Sequence, residues 1–111
     1  IGEDRDFFFQ AARQAGPIAI CPDPVVRKRA HGAGLTGAAH LHRRVRDHGV
    51  LLDRYLSEAS REHFQSATRW LVDTCARECV DAETWRGVVE HARRVGISVP
   101  LKARVRRLVH R

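Results

Sequence analysis

Cysteines and histidines are the residues of this sequence best suited to metal chemistry. Cys75 and Cys79 lie four residues apart, so on a helix both thiols would face the same side. With Cys21 and one of the seven histidines they could complete a zinc site of three thiolates and one imidazole. However, the closely spaced CxxC or HxxxH pairs of most zinc sites are missing, and both cysteines extend an apolar stripe running from Phe64 to Leu71. The pattern favours two buried, reduced, metal-free cysteines, with zinc as the alternative.

A glycine-rich segment offers a second kind of chemistry. Gly32, Gly34 and Gly37 have the GxGxxG spacing by which dinucleotide-binding loops admit a pyrophosphate close to backbone amides. Such a loop follows a β-strand, whereas the residues before this one, 25–31, are charged and helical in pattern. We therefore expect no cofactor.

The histidines and carboxylates form no recognisable catalytic set. His31, His40, His42 and His48 cluster in sequence, but His40 and His42 would face different sides of a helix. They are predicted to be surface residues. No nucleophile stands in a motif that would supply its base, so we expect a domain that binds rather than an enzyme.

Positive charge is concentrated in two blocks. The net charge is +7, but nearly all basic residues are arginines, which a GC-rich coding sequence also produces, so their position is more informative than their number. Residues 91–111 contain seven basic residues and no acid, and residues 27–55 are the second basic block. This distribution favours a partner with phosphates.

The end of the chain resembles a helix-turn-helix in its spacing. Ala92 precedes Gly96 by four residues and apolar residues flank that glycine, as a close helix crossing requires. In the last helix Leu101, Val105 and Leu108 are predicted to face inward, which leaves the basic residues outside. The predicted nucleic-acid contacts are Lys102, Arg104, Arg106 and Arg107, together with Arg27, Lys28, Arg29, Arg43 and Arg46.

A second interpretation of the basic helix remains open. Its charges could be neutralised within the domain by the acidic residues Glu58, Glu62, Glu78 and Glu83. The alternative function is a protein-interaction or oligomerisation module, an adaptor or regulatory domain that docks through an apolar or mixed-charge face. Its oligomeric state is not shown by the sequence.

Helical spacing and capping residues predict the elements that position these side chains. The expected helices cover residues 3–15, 24–30, 37–47, 50–56, 61–80 and 82–95, followed by one after Ser98, with Gly49 as a break. The fold class is all-α, a compact bundle of six or seven helices. Its predicted core is Phe64, Leu71, Trp85, Val88, Val89, Val105 and Leu108. Trp70 lies off the stripe of its helix, either in the core or as an exposed anchor.

Composition and length complete the expectations. The chain has no methionine and begins at Ile1, so residues 1–111 are expected to be a single domain cut from a longer protein. An odd number of cysteines without framework spacing favours an intracellular protein, cytoplasmic or nuclear. No apolar run approaches the roughly 20 residues needed to span a bilayer, so no membrane partner is expected.

Overall fold

The computed structural model describes residues 3–17, 19, 22–23, 26–27 and 38–109, and these contain five α-helices and no strand. They are α1 (Glu3–Ala15), α2 (Leu41–Tyr55), α3 (Arg61–Arg77), α4 (Ala82–Val95) and α5 (Leu101–Val109), and a 3₁₀ turn, Ala38–His40, leads into α2. The predicted all-α bundle is confirmed. The described residues contain five helices, not the six or seven expected for the chain, and most of the predicted helix 24–30 lies outside the described residues. None of the described helices is both long enough and apolar enough to cross a membrane.

The predicted break at Gly49 is wrong, because α2 continues through this residue to Tyr55. Gly49 is a contact point between helices. A Cβ atom built there would lie 2.8 Å from Cε1 of His91 on α4, closer than packed carbon atoms approach. A second glycine, Gly87 on α4, lies against Val45, whose Cγ1 would be 3.1 Å from an added Cβ. The two glycines therefore let α2 and α4 cross closely, and packing outweighs the low helix propensity of glycine.

Helix α4 has the bounds that its sequence predicts, since both ends carry strong capping residues. The side chain of Asp81 accepts a hydrogen bond from the backbone N–H of Thr84 at 2.9 Å, as an N-cap residue does. At the other end Gly96 adopts the left-handed conformation with φ 77°, and the N–H of Ile97 donates to the carbonyl of Ala92 at 2.9 Å. Between the caps, Val88 and Ala92 are buried.

The core lies between α2, α3, α4 and the start of α5. Of the predicted core residues, Phe64, Leu71 and Val88 are buried, and Trp85 and Val89 are partly buried against the same cluster. Val105 and Leu108 are exposed, which makes that part of the prediction wrong.

Helix α3 buries Cys75 but not Cys79. The helix ends at Arg77, before the predicted end at Val80, and Cys79 has a positive φ of 50° and an exposed side chain. The two thiols therefore do not share a face. Of the two alternatives for Trp70, a place in the core is wrong, because its side chain is 46% exposed. The guanidinium of Arg44 lies over its ring, 4.3 Å from the centroid.

Helix α1 has the predicted bounds and is attached to the bundle by the aromatic ring of Phe9 and by polar contacts. Phe9 stacks on Tyr55 and on Phe64, with ring centroids 4.7 Å and 5.6 Å away. Asp6 accepts a hydrogen bond from the hydroxyl of Tyr55 at 2.6 Å. Its neighbours Phe7 and Phe8 are exposed.

Candidate interaction surface on the C-terminal helix

Small residues seat α5 on the bundle. Val99 and Ala103 are 7% and 5% exposed and belong to the main core cluster, and α5 packs against α3. The carbonyl of Pro100 accepts hydrogen bonds from the N–H groups of Ala103 and Arg104, which starts the helix. The side of α5 that contains Ala103 therefore faces inward.

The opposite side of α5 is apolar and faces solvent. Leu101, Val105, Leu108 and Val109 are 75%, 46%, 64% and 71% exposed, and their spacing puts them on one face of the helix. We name these four residues the apolar ridge. The prediction that Leu101, Val105 and Leu108 face inward is wrong, and the physical reason is size. Ala103 allows a close approach to α3, while the aliphatic parts of Arg106 and Arg107 can cover apolar surface on either side of it.

The four basic residues predicted to share the outer face of α5 are divided between two positions. Lys102 and Arg104 are exposed beside the apolar ridge, whereas Arg106 and Arg107 are half-buried. The guanidinium of Arg107 lies 5.4 Å from the ring centroid of Trp85, and its Nε is buried without a hydrogen-bond partner among the described residues. Arg107 is therefore part of the packing of α5.

The positive charges of α5 are not neutralised by the acids of the preceding helices. In the described part of the chain no carboxylate lies within 4.0 Å of a basic group of α5. Glu58 pairs with Arg13 at 2.5 Å, and Glu78 lies 3.5 Å from Arg77. Among the described residues, none of the four acids named for internal neutralisation forms an ion pair with α5.

The second predicted basic block lies elsewhere. Lys28 and Arg29 are outside the described residues, as is the glycine segment 32–37, and Arg27 is exposed. Arg43 and Arg46 are exposed on α2, which packs against α4, whereas α5 packs against α3. The two basic blocks thus lie on different elements of the bundle.

The helix-turn-helix interpretation stays a prediction. Ala92 and Gly96 are placed as it requires, with Ala92 buried and Gly96 left-handed. The next helix departs from the motif, because the position expected to face inward, Lys102, is exposed and Ala103 is buried in its place.

Two histidines occupy the core where α2 and α4 cross, and neither was predicted to be buried. His48, predicted at the surface, is 2% exposed, and His91 is 9% exposed with its ring centroid 5.6 Å away. The Nε2 of His91 donates to the carbonyl of Val45 at 2.7 Å. Nε2 of His48 lies 2.9 Å from the Thr68 hydroxyl, which itself donates to the carbonyl of Phe64 and therefore accepts from the imidazole. The sequence did contain a signal for the burial of His91, because this residue follows the buried Val88 by three positions and so lies on the same face of α4.

Burial disfavours the charged form of both imidazoles. It lowers the pKa of His48 to about 3, with a smaller contribution from the positive charge of Arg5. Burial also lowers the pKa of His91, partly opposed by its hydrogen bond to Val45. Neither Nδ1 atom has a hydrogen-bond partner among the described residues, so a proton added there would have no acceptor.

The cysteines offer no metal centre in the described part of the chain, where no group of three or more histidine, cysteine or acidic side chains is suitably placed. Burial raises the pKa of Cys75 to about 11, which keeps this thiol protonated. Cys21, the third residue of the alternative zinc site, lies outside the described residues.

Comparisons of the chain with protein-family models, with curated protein sequences and with solved structures give no match. Its function is therefore inferred from its own residues. The apolar ridge of α5 is the feature that most clearly indicates an interaction site, because four large apolar side chains on one helix face are exposed to solvent.

Proposed function

We propose that this domain is a non-catalytic protein-interaction module that binds an amphipathic helix of a partner along the apolar ridge. The observation that carries the proposal is the outward orientation of Leu101, Val105, Leu108 and Val109. Single exposed apolar residues are common on protein surfaces, but a continuous apolar patch with a polar rim is typical of interaction sites.

The charges beside the ridge support an acidic partner. Lys102 and Arg104 are exposed at its edges, and residues 101–111 contain no acid. A helix with apolar residues at i, i+4 and i+7 and with Glu or Asp on both sides of them would bury the ridge and pair with these cations. A second copy of this chain is disfavoured, because its own α5 would bring the same positive charge.

Fluorescence anisotropy with a designed acidic helical peptide, leucines at i, i+4 and i+7 and glutamates elsewhere, tests this proposal. We expect micromolar binding, and at least about tenfold weaker binding after Val105→Asp, because the ridge then loses apolar area and gains a negative charge. Val50→Asp is the matched control, since Val50 is an equally exposed valine, 42% against 46%, on α2.

A matched peptide with lysines in place of glutamates separates charge recognition from adhesion of any apolar helix. The proposal predicts that it binds weakly. Equal binding of the two peptides, or an equal effect of the two valine substitutions, contradicts the proposal.

Nucleic-acid binding is the second candidate function, favoured by the absence of any described carboxylate near the basic groups of α5. Phosphates would contact Lys102 and Arg104, with Arg43 and Arg46 as further contacts. Titrations of duplex DNA at several salt concentrations test it, since log affinity should fall with log salt by about 0.9 per phosphate contact. Lys102→Gln with Arg104→Gln should flatten that slope by about one to two units and leave folding intact, because both side chains are exposed. No measurable affinity at low salt contradicts this candidate.

A further inference from the structure

A groove of about 300 Å³ lies between α3 and α5, beside the apolar ridge. Its apolar lining includes Val72 and Ala103, both buried, and Ile97 and Pro100 in the segment before α5. Its volume is at the lower end of the range for small-molecule sites, which is roughly 300–1,000 Å³. The groove therefore suits a ligand smaller than most drug-sized molecules.

Three cationic side chains line the same groove. Arg69 comes from α3, and Lys102 and Arg106 are one turn apart on α5. No carboxylate of the described residues lies within 4.0 Å of any of the three. Asp73, the one acid that lines the groove within the described chain, is 3.5 Å from Arg77. The groove thus has an excess of positive charge that the bundle does not compensate.

An apolar lining and an uncompensated positive charge select for a molecule with both complementary features. We propose that the groove binds a small organic carboxylate with an unbranched or compact apolar body. The apolar body would pack on Val72, Ile97 and Ala103, and the carboxylate would pair with Lys102 and Arg106. The apolar residues Leu101, Val105 and Leu108 of the ridge do not line this groove, although Lys102 lies beside both.

Two-dimensional amide NMR titrations with hexanoate, 1-hexanol and acetate test the proposal. Hexanoate carries both features, hexanol lacks the charge and acetate lacks the apolar body. For hexanoate we expect shifts confined to the amides around Ser98, Lys102 and Ala103, with a dissociation constant of about 1 mM or lower. Hexanol and acetate should each bind at least about fivefold more weakly.

Charge substitutions identify the carboxylate contacts. Lys102→Gln should weaken hexanoate binding about two- to fivefold, within the range for one exposed ion pair, and Arg106→Gln should do the same where the variant folds. Arg86→Gln is the matched control, because it removes one exposed arginine from α4 that does not line the groove.

Three results would overturn the proposal. One is hexanol binding as tightly as hexanoate, which would mean that charge is not recognised. Another is equal weakening by Lys102→Gln and Arg86→Gln, which would indicate attraction by the overall charge. The third is a set of hexanoate shifts centred on Val105 and Leu108, which would place the ligand on the apolar ridge.

Discussion

Helices α4 and α5 are consecutive, both amphipathic and both rich in arginine, yet they present opposite faces to the bundle. In α4 the apolar residues Val88, Ala92 and Val95 are at most 1% exposed. In α5 the buried residue is Ala103, and the larger apolar side chains face solvent. A pattern of apolar residues at helical spacing thus shows that a helix has an apolar face, but not whether its own domain covers that face.

The surroundings of the two helices explain the difference. Helix α4 packs against both α2 and α3, so its apolar stripe is enclosed from two sides. Helix α5 packs mainly against α3, where Ala103 is its buried residue, and touches α4 where Arg107 lies over Trp85. The remaining apolar surface of α5 is then available for a partner.

The largest expected difference between the two helices comes from one substitution made in both. Val88→Asp places a charge where the side chain is completely buried and should reduce the free energy of unfolding by about 4 kcal/mol or more. Val105→Asp, at a position 46% exposed, should change it by no more than about 0.5 kcal/mol. Urea unfolding of both variants measures this, and equal losses would mean that Val105 belongs to the core.

Acid should lower the free energy of unfolding, because two histidines, His48 and His91, are buried where α2 and α4 cross. Because burial lowers the pKa of His48 from 6.5 to about 3, the unfolded chain takes up the proton first as the pH falls below 6.5. The free energy of unfolding should then fall by up to about 1.4 kcal/mol per pH unit for each buried histidine until the folded state is protonated as well.

His48→Gln should flatten this pH dependence, since the amide keeps a donor for Thr68 but does not titrate. His42→Gln is the control, because its ring is exposed on α2. Unfolding free energies measured between pH 7 and pH 4 are the readout. A slope that His48→Gln leaves unchanged would show that this histidine is not the titrating group.

The effect of one added carbon atom should differ between the enclosed contact of α2 with α4 and the exposed face of α5. Gly49→Ala brings a methyl group to 2.8 Å from Cε1 of His91, so it should destabilise the domain by about 1–3 kcal/mol despite the better helix propensity of alanine. Val105→Ile adds the same carbon to the exposed ridge and should change stability by less than about 0.5 kcal/mol.

A double-substitution cycle shows whether the contact with His91 is the cause. In the background of His91→Ala the penalty of Gly49→Ala should shrink by about 1 kcal/mol or more, since the ring is gone. Thermal unfolding of the four proteins of the cycle gives the coupling. Additive losses would place the strain elsewhere.

Local signals predicted the elements that carry strong capping chemistry. The start of α1 was predicted from the acids in its first turn, and the bounds of α4 from Asp81 and Gly96 at its two ends. These residues act on the backbone next to them, so a local pattern is enough to predict their effect. The prediction of a helix break at Gly49 was wrong because the role of this residue is not local. Its role depends on His91, forty-two residues away, so no local rule separates a helix break from a close crossing.

The candidate site was only half predictable for a similar reason. Sequence identified α5 as the basic element without acids, and the structure places Lys102 and Arg104 on its exposed side as expected. The sequence did not identify the apolar ridge, because the choice between Leu101 and Ala103 as the inward residue depends on the shape of the α3 surface. Arg107 was taken for a surface charge, although its guanidinium packs over Trp85.

The orientation of α5 is the central claim, and solvent paramagnetic relaxation of methyl groups tests it most directly. With a soluble paramagnetic probe and dilute protein, the methyl signals of Leu101 and Leu108, 75% and 64% exposed, should broaden strongly. Those of Val88 and Val95, both completely buried, should remain sharp under the same conditions. Protection of Leu101 and Leu108 to the level of the α4 valines would mean that α5 turns its apolar residues inward, and the proposed partner surface would not exist.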